Sequence, residues 1–199
     1  MKYRLPSIML LPLIALPGTA FAQPEPGDIG ITFDVQFRTA VASPPRFTTT
    51  NLFYAIGHDL AGGFFGYELG VAIDPRIIIF GSGPPDPGAE YMGSTPGNWF
   101  VAFGRCVPGG GNVVLVAFRY GVFDPVATDL TLCITPATPS SFDPPAPGYV
   151  QCVSDRLIPF GVANHGTDDY PDGCAVVFPT GELPIVAEGS SWGALKAKF

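Results

Sequence analysis

The stretch Ile29-Gly30-Ile31-Thr32-Phe33-Asp34-Val35-Gln36-Phe37 (IGITFDVQF) puts a large apolar residue at every second position, with Gly, Thr, Asp and Gln between them. Side chains of an extended strand point alternately to opposite faces, so this pattern reads as a strand with one face on a core. Phe65-Gly66-Tyr67-Glu68-Leu69-Gly70-Val71-Ala72-Ile73 repeats the alternation, with Gly and Glu on the outer face. Asn51 to Gly57, Arg76 to Phe80, Asn98 to Arg105, Asn112 to Val122, Leu130 to Ile134 and Cys174 to Phe178 supply further candidates. The turn Pro108-Gly109-Gly110-Gly111 between two of these reads as a hairpin. Ile31, Phe33, Val35, Tyr67, Leu69, Val71, Val101, Leu115 and Leu132 are the expected core positions.

Proline- and glycine-rich stretches separate the runs: Ser43-Pro44-Pro45, Gly81 to Gly88, and Thr135 to Gly148. Proline has no amide donor and a fixed φ, so these are loops and not central strands. Asp143 to Phe160 admits two readings, an edge strand broken by loops or a long crossover pinned by Cys152. Short strands at this spacing, with no helical periodicity before the C-terminus, predict an all-β chain built as a single antiparallel β-sandwich.

The N-terminal segment stands outside that pattern. Lys2 and Arg4, an apolar stretch from Ile8 to Pro17, and Ala20-Phe21-Ala22 form a secretory signal peptide over residues 1–22. The sandwich is expected over 23–181, a tether over 182–189 and a tail over 190–199. Four cysteines in an exported chain, Cys106, Cys133, Cys152 and Cys174, imply two disulfides. Of the three possible connectivities, Cys106–Cys133 with Cys152–Cys174 closes the shorter loops and is preferred here. Between Gln23 and Gly189 lie seventeen acidic residues and six arginines, a formal charge of −11. Such a surface disfavours nucleic acid and anionic lipid as partners.

Chemistry is sparse. No HExxH, GxxxxGK[ST] or strand-linked GxGxxG motif occurs. His58 sits beside Asp59 in GHDLAGG, but no nucleophile lies near in sequence, and a surface-turn histidine is the simpler reading. Asn164 to Gly173 gathers Asp168, Asp169 and Asp172, oxygen donors that suit Ca²⁺. The twelve-residue calcium loop and its closing glutamate are absent, and the same residue types build ordinary solvated turns. No other cofactor is implied. Trp99, Phe100, Phe103, Phe118, Tyr120 and Phe123 offer flat faces for sugar stacking, although aromatics in alternating strands are more often core.

Taken with the strands, the C-terminal Ser191-Trp192-Gly193-Ala194-Leu195-Lys196 resembles a group of bacterial exported proteins. These have a signal peptide, one β-sandwich and a Ser/Thr-Trp-Gly-x-aliphatic-Lys tail. ITPATPSSFDPPAPGYV (Ile134 to Val150) and GCAVV (Gly173 to Val177) carry the same likeness. The resemblance brings no activity with it. The strand pattern is also similar to cohesin-like and immunoglobulin-like sandwiches; a cohesin likeness implies a binding module, though no dockerin-like duplicated calcium motif is present.

Within the tail, Ser191 is a good helix N-cap, and Trp192, Leu195 and Phe199 fall near one helical face. Gly193 costs such a helix about 1 kcal/mol. Lysine occurs only at Lys2, Lys196 and Lys198, so the tail differs in composition from the body. It reads either as a sorting or attachment tag recognised by Trp192, Leu195, Lys196 and Phe199, or as a short terminal helix on the sandwich. The sequence therefore predicts an exported, extracellular, surface or periplasmic, non-enzymatic sandwich with a structural or protein-binding role. A carbohydrate-binding module is the alternative and a secreted hydrolase the third reading.

Overall fold

The computed structural model describes residues 24–95, 97–163 and 172–180. In chain order the strands are β1 Asp28–Thr32, β2 Val41–Ala42, β3 Asn51–His58, β4 Phe64–Ile73, β5 Ile77–Gly83, β6 Ala89–Thr95 and β7 Asn98–Val107. They continue with β8 Asn112–Val122, β9 Leu130–Thr135, β10 Gly148–Gln151, β11 Leu157–Pro159, β12 Gly161–Val162 and β13 Cys174–Val177. None of the described residues is helical. The tail over which a short helix was expected lies outside them.

A smaller sheet runs β12-β1-β3-β8-β5. The larger runs β11-β10-β4-β9-β13-β2, with β7 on the other edge of β4 and β6 beyond it. Pairing is antiparallel except for the short β1–β12 and β13–β2 contacts, which are parallel. The inner faces supply one core: Phe53, Leu115, Phe118 and Tyr120 from the smaller sheet, and Phe64, Tyr67, Leu69, Trp99 and Leu132 from the larger. Phe53 stacks on Phe118 at 4.5 Å between centroids, and Trp99 meets Phe118 edge-on at 6.1 Å across the sandwich. The Tyr67 hydroxyl donates to the Leu115 carbonyl at 2.5 Å, linking the two sheets directly. Burial pushes the Tyr67 and Tyr120 hydroxyls well above the ordinary tyrosine range, so both stay neutral.

Most expected core residues are buried, but the opening stretch departs from its pattern. β1 ends at Thr32, whose buried hydroxyl donates to the carbonyls of Asp34 (3.1 Å) and Thr39 (3.0 Å). The Asp34 carboxylate accepts the amides of Gln36 and Arg38, and Phe33 N–H donates to Thr39 C=O. Local side-chain bonds of this kind compete with a sheet ladder, and here they curl the chain into a loop. Phe33 is consequently half-buried and Val35 is 51% exposed, against the expectation that both are core. Phe37, at φ 62°, turns back onto the outer face of β1 and packs with Ile56 and Ala163.

The expected hairpin over Asn98–Val122 is also absent. β7 pairs with β4 and β6, while β8 pairs with β3 and β5. The Pro108–Gly111 turn is therefore a crossover between sheets, held to the neighbouring turn by Leu60 N–H to Gly109 C=O and Asp59 N–H to Gly111 C=O. Asp143 to Phe160 combines both of its readings, with an edge hairpin (β10–β11) whose turn is pinned by Cys152.

The disulfides are Cys106–Cys152 and Cys133–Cys174, which corrects the sequential pairing preferred above. β9 lies beside β13 with Cys133 directly opposite Cys174, while Cys106 at the end of β7 reaches the β10–β11 turn. Their sequence separations are 46 and 41, so each bond constrains the unfolded chain by roughly 4 kcal/mol in the chain-entropy account. Non-reducing peptide mapping is expected to recover 106–152 and 133–174 linked peptides; sequential pairs would overturn the topology. Reduction is expected to lower the denaturant midpoint sharply without aid from any other change.

Candidate functional site

The outer face of the smaller sheet carries large side chains that nothing in the described chain covers. β8 presents Arg119 and Gly121 there, because Phe118, Tyr120 and Val122 point into the core. Opposite them stand Leu52 on β3 and Ile78 on β5, both exposed. Gly121 lets two rings settle over the sheet: a Cβ at that position would meet the Phe123 and Phe80 rings and the Thr48 carbonyl. Phe123 is the hub, with Phe47 at 6.3 Å and Phe80 at 5.9 Å between centroids, inclined at 77° and 70°. Phe47 is 59% exposed, so the cluster is a surface and not a satellite core. Contiguous exposed apolar surface of this kind marks an interaction site more often than isolated exposed residues do.

The platform beneath it is rigid. Arg46 donates to the carbonyls of Asp124 and Ala127, each at 2.6 Å, and its guanidinium lies 3.6 Å from the centroid of the Phe178 ring. One side chain thus ties the segment bearing Phe47, the loop after Phe123 and the end of β13. Phe47 N–H also donates to Val122 C=O. Next to this anchor, Asp129 accepts the amide and hydroxyl of Thr180, which hold its carboxyl below the usual range. Asp74 is held low chiefly by its hydrogen bond from Arg76. Arg119 differs from Arg76 and Arg105, which pair with Asp74 and Asp86: its guanidinium meets only the Phe80 carbonyl, at 3.4 Å, among the described residues. The face is therefore apolar with one cation lacking a carboxylate.

The sequence candidates distribute differently. Trp99, Phe103, Phe118 and Tyr120 are core, Phe100 is half-buried on the outer face of the larger sheet, and only Phe123 of that set belongs to the exposed cluster. His58 ends β3 with Nδ1 2.7 Å from Asn112 Oδ1 and Nε2 3.4 Å from Asp59 Oδ2, a bracket between two turns. Asp172 is exposed in the turn before β13, whereas Asp168 and Asp169 lie outside the described residues. Among the described residues no group of three His, Cys, Asp or Glu could hold a metal. Trp192, Leu195, Lys196 and Phe199 also lie outside them. Phe47, Phe80 and Arg46 escaped sequence reading because loops and an edge strand, not a motif, bring them together.

No family model matches the chain, and no curated protein does. Among solved structures, the seventh ScaB type I cohesin from Pseudobacteroides cellulosolvens is similar at 10% identity and a TM-score of 0.45, over 78% of this chain and 96% of that one. A likeness that distant assigns neither a ligand nor a partner.

Arg46→Ala is expected to cost roughly 2–3 kcal/mol, from two charge-assisted hydrogen bonds and the ring contact. Arg46→Lys should recover less than half, since an ammonium cannot serve both carbonyls in the fork geometry. Urea denaturation of the three proteins measures this; equal midpoints would show that the clamp is not structural.

Proposed function

We propose that the chain is an exported, non-catalytic β-sandwich that binds a protein partner through the aromatic face of its smaller sheet. The observation that carries this reading is the exposed Phe47–Phe123–Phe80 cluster with Leu52, Ile78 and an Arg119 that meets no carboxylate among the described residues. The partner is a protein surface of apolar side chains with a carboxylate placed for Arg119. Anchored aromatics around one arginine have the composition of an interface centre. The inclined rings offer no coplanar platform, which favours a protein over a sugar.

Export is supported by the N-terminal 1–22 segment and by cysteines that pair within the fold. The destination is extracellular, the outer cell surface or the periplasm. The sandwich spans 23–181, and the tail after the 182–189 tether is a sorting or attachment tag carried by Trp192, Leu195, Lys196 and Phe199. A calcium site at Asp168, Asp169 and Asp172 is a lesser proposal, testable by calcium titration. A hydrolase is less well supported: Glu68 and Glu90 share a cleft on the larger sheet, but they stand two strands apart and Glu68 Oε1 is held by Ser140 and Ser141.

A photo-crosslinking residue placed at position 47 or 78 in the native host should yield one discrete adduct. Position 153, 80% exposed in the β10–β11 turn, should yield none, and Arg119→Glu should weaken the adduct at least fivefold. Absence of an adduct, or an equal one from position 153, overturns the reading, as does an adduct with the mass of two copies of this chain. For the tail, deletion after Gly189 is expected to leave the melting temperature unchanged and to alter localisation. A fall of several degrees with normal localisation would make the tail part of the fold instead.

A further inference from the structure

The opposite side of the sandwich carries a second feature, independent of the aromatic face. On the outer face of the larger sheet, strand register aligns Leu157, Val150, Gly66, Ala102 and Glu90 in one row across β11, β10, β4, β7 and β6. The adjacent row holds Gly148, Glu68 and Phe100. Glycine and alanine at the centre leave the sheet bare, and a cleft of about 460 Å³ opens there. Phe100, Val150, Leu157 and Ser141 are among its walls, and among the described residues neither Lys, Arg nor His lines it. Its size falls within the usual range for small-ligand sites.

Glu68 lines this cleft and is only 5% exposed. Its Oε1 accepts the Ser140 hydroxyl at 3.1 Å and the Ser141 amide at 2.8 Å, both from the loop that follows β9. Among the described residues no donor reaches Oε2, and that atom is not sealed within the protein. A carboxylate that deep ordinarily has a cation or a full set of donors, because burial without them is costly. Here one oxygen is fixed by the loop, and the residue lines an apolar cleft that also has a second carboxylate, Glu90, in its lining.

We propose that this cleft binds a small amphipathic cation, an apolar alkyl or aryl body bearing a protonated amine. The ammonium donates to Glu68 Oε2, and the body packs on Phe100, Val150 and Leu157. The two acidic groups reject anions, and the apolar walls give strongly hydrated inorganic cations little in return for their water. Glu68 selects charge, while Gly66 and Ala102 provide the space: a Cβ on Gly66 would stand 2.5 Å from the Val101 carbonyl.

The test uses the exported chain, residues 23–199, with 2-phenylethylamine as probe and 2-phenylethanol and phenylacetate as its neutral and anionic counterparts. Calorimetric titration should show the amine binding at least tenfold more tightly than the alcohol, with no detectable binding of the acid. Glu68→Gln keeps an oxygen for Ser140 and Ser141 but turns a donor toward the cleft. It should abolish the preference for the amine, bringing amine and alcohol to within about twofold of each other, while leaving thermal stability unchanged. Ala102→Trp, at an exposed position, should fill the cleft and remove binding of both. Equal binding of amine and alcohol, an unaltered preference in Glu68→Gln, or no binding of the amine overturns the proposal. None of these outcomes bears on the aromatic face, whose variants lie on the other sheet.

Discussion

β4 pairs along one edge with β7, and along its other edge with two strands set end to end, β10 against its first half and β9 against its second. That division constrains the rest of the molecule. The chain leaves β9 opposite Gly70 and re-enters the same edge as β10 opposite Glu68, running the same way, so the residues between the two strands have no room in the sheet plane. Residues 136–147 therefore leave the plane and lie across the outer face. Asn98 exchanges hydrogen bonds with Thr138, and Phe142 covers Gly148. A strand that would have been half-exposed is thereby buried on both faces over most of its length. Glu68 owes its burial and its two donors to the same excursion.

The staples follow from the same arrangement. Once β9 is committed to β4, its free edge is available to β13, and Cys133 comes opposite Cys174. Once β10 turns back into β11 at the end of the sheet, Cys152 lies beside the end of β7 and Cys106. Loop length plays no part in either choice. Cys133–Cys174 joins two paired strands, whereas Cys106–Cys152 passes Gly63 to bridge the chains that flank the start of β4; in both cases strand pairing and not loop length sets the partner.

The aromatic residues fall into two populations with different physics. Phe53, Phe64, Trp99, Phe103, Phe118 and Tyr120 alternate into the space between the sheets and supply the apolar area that holds them together. Phe47, Phe80 and Phe123 sit on the outside, kept in place by backbone bonds, the Arg46 clamp and the open surface of Gly121. Removing a ring from the first group opens a cavity, whereas removing one from the second changes only what the surface can hold.

Period-two alternation, with short apolar runs bounded by Pro and Gly, determined the all-β class and located β3, β4, β5, β7, β8, β9 and β13 within a few residues. Alternation depends only on neighbours along the chain, which sequence contains directly. It failed where local bonds outcompeted the ladder, as at Thr32 and Asp34, where the expected strand ended early and Val35 turned to solvent. β2, β10, β11 and β12 were too short to show a period, and β6 lay beyond a proline-rich stretch. Only tertiary structure decided which strands are neighbours, and with that the disulfides, the crossover at Pro108–Gly111 and both candidate sites. Glu68 is far in sequence from Ser141, Val150 and Leu157, as Phe47, Phe80 and Phe123 are from one another. Each group becomes one surface only because strand pairing and the loops that leave the strands bring its members together, and that is set by the whole fold rather than by any segment of it.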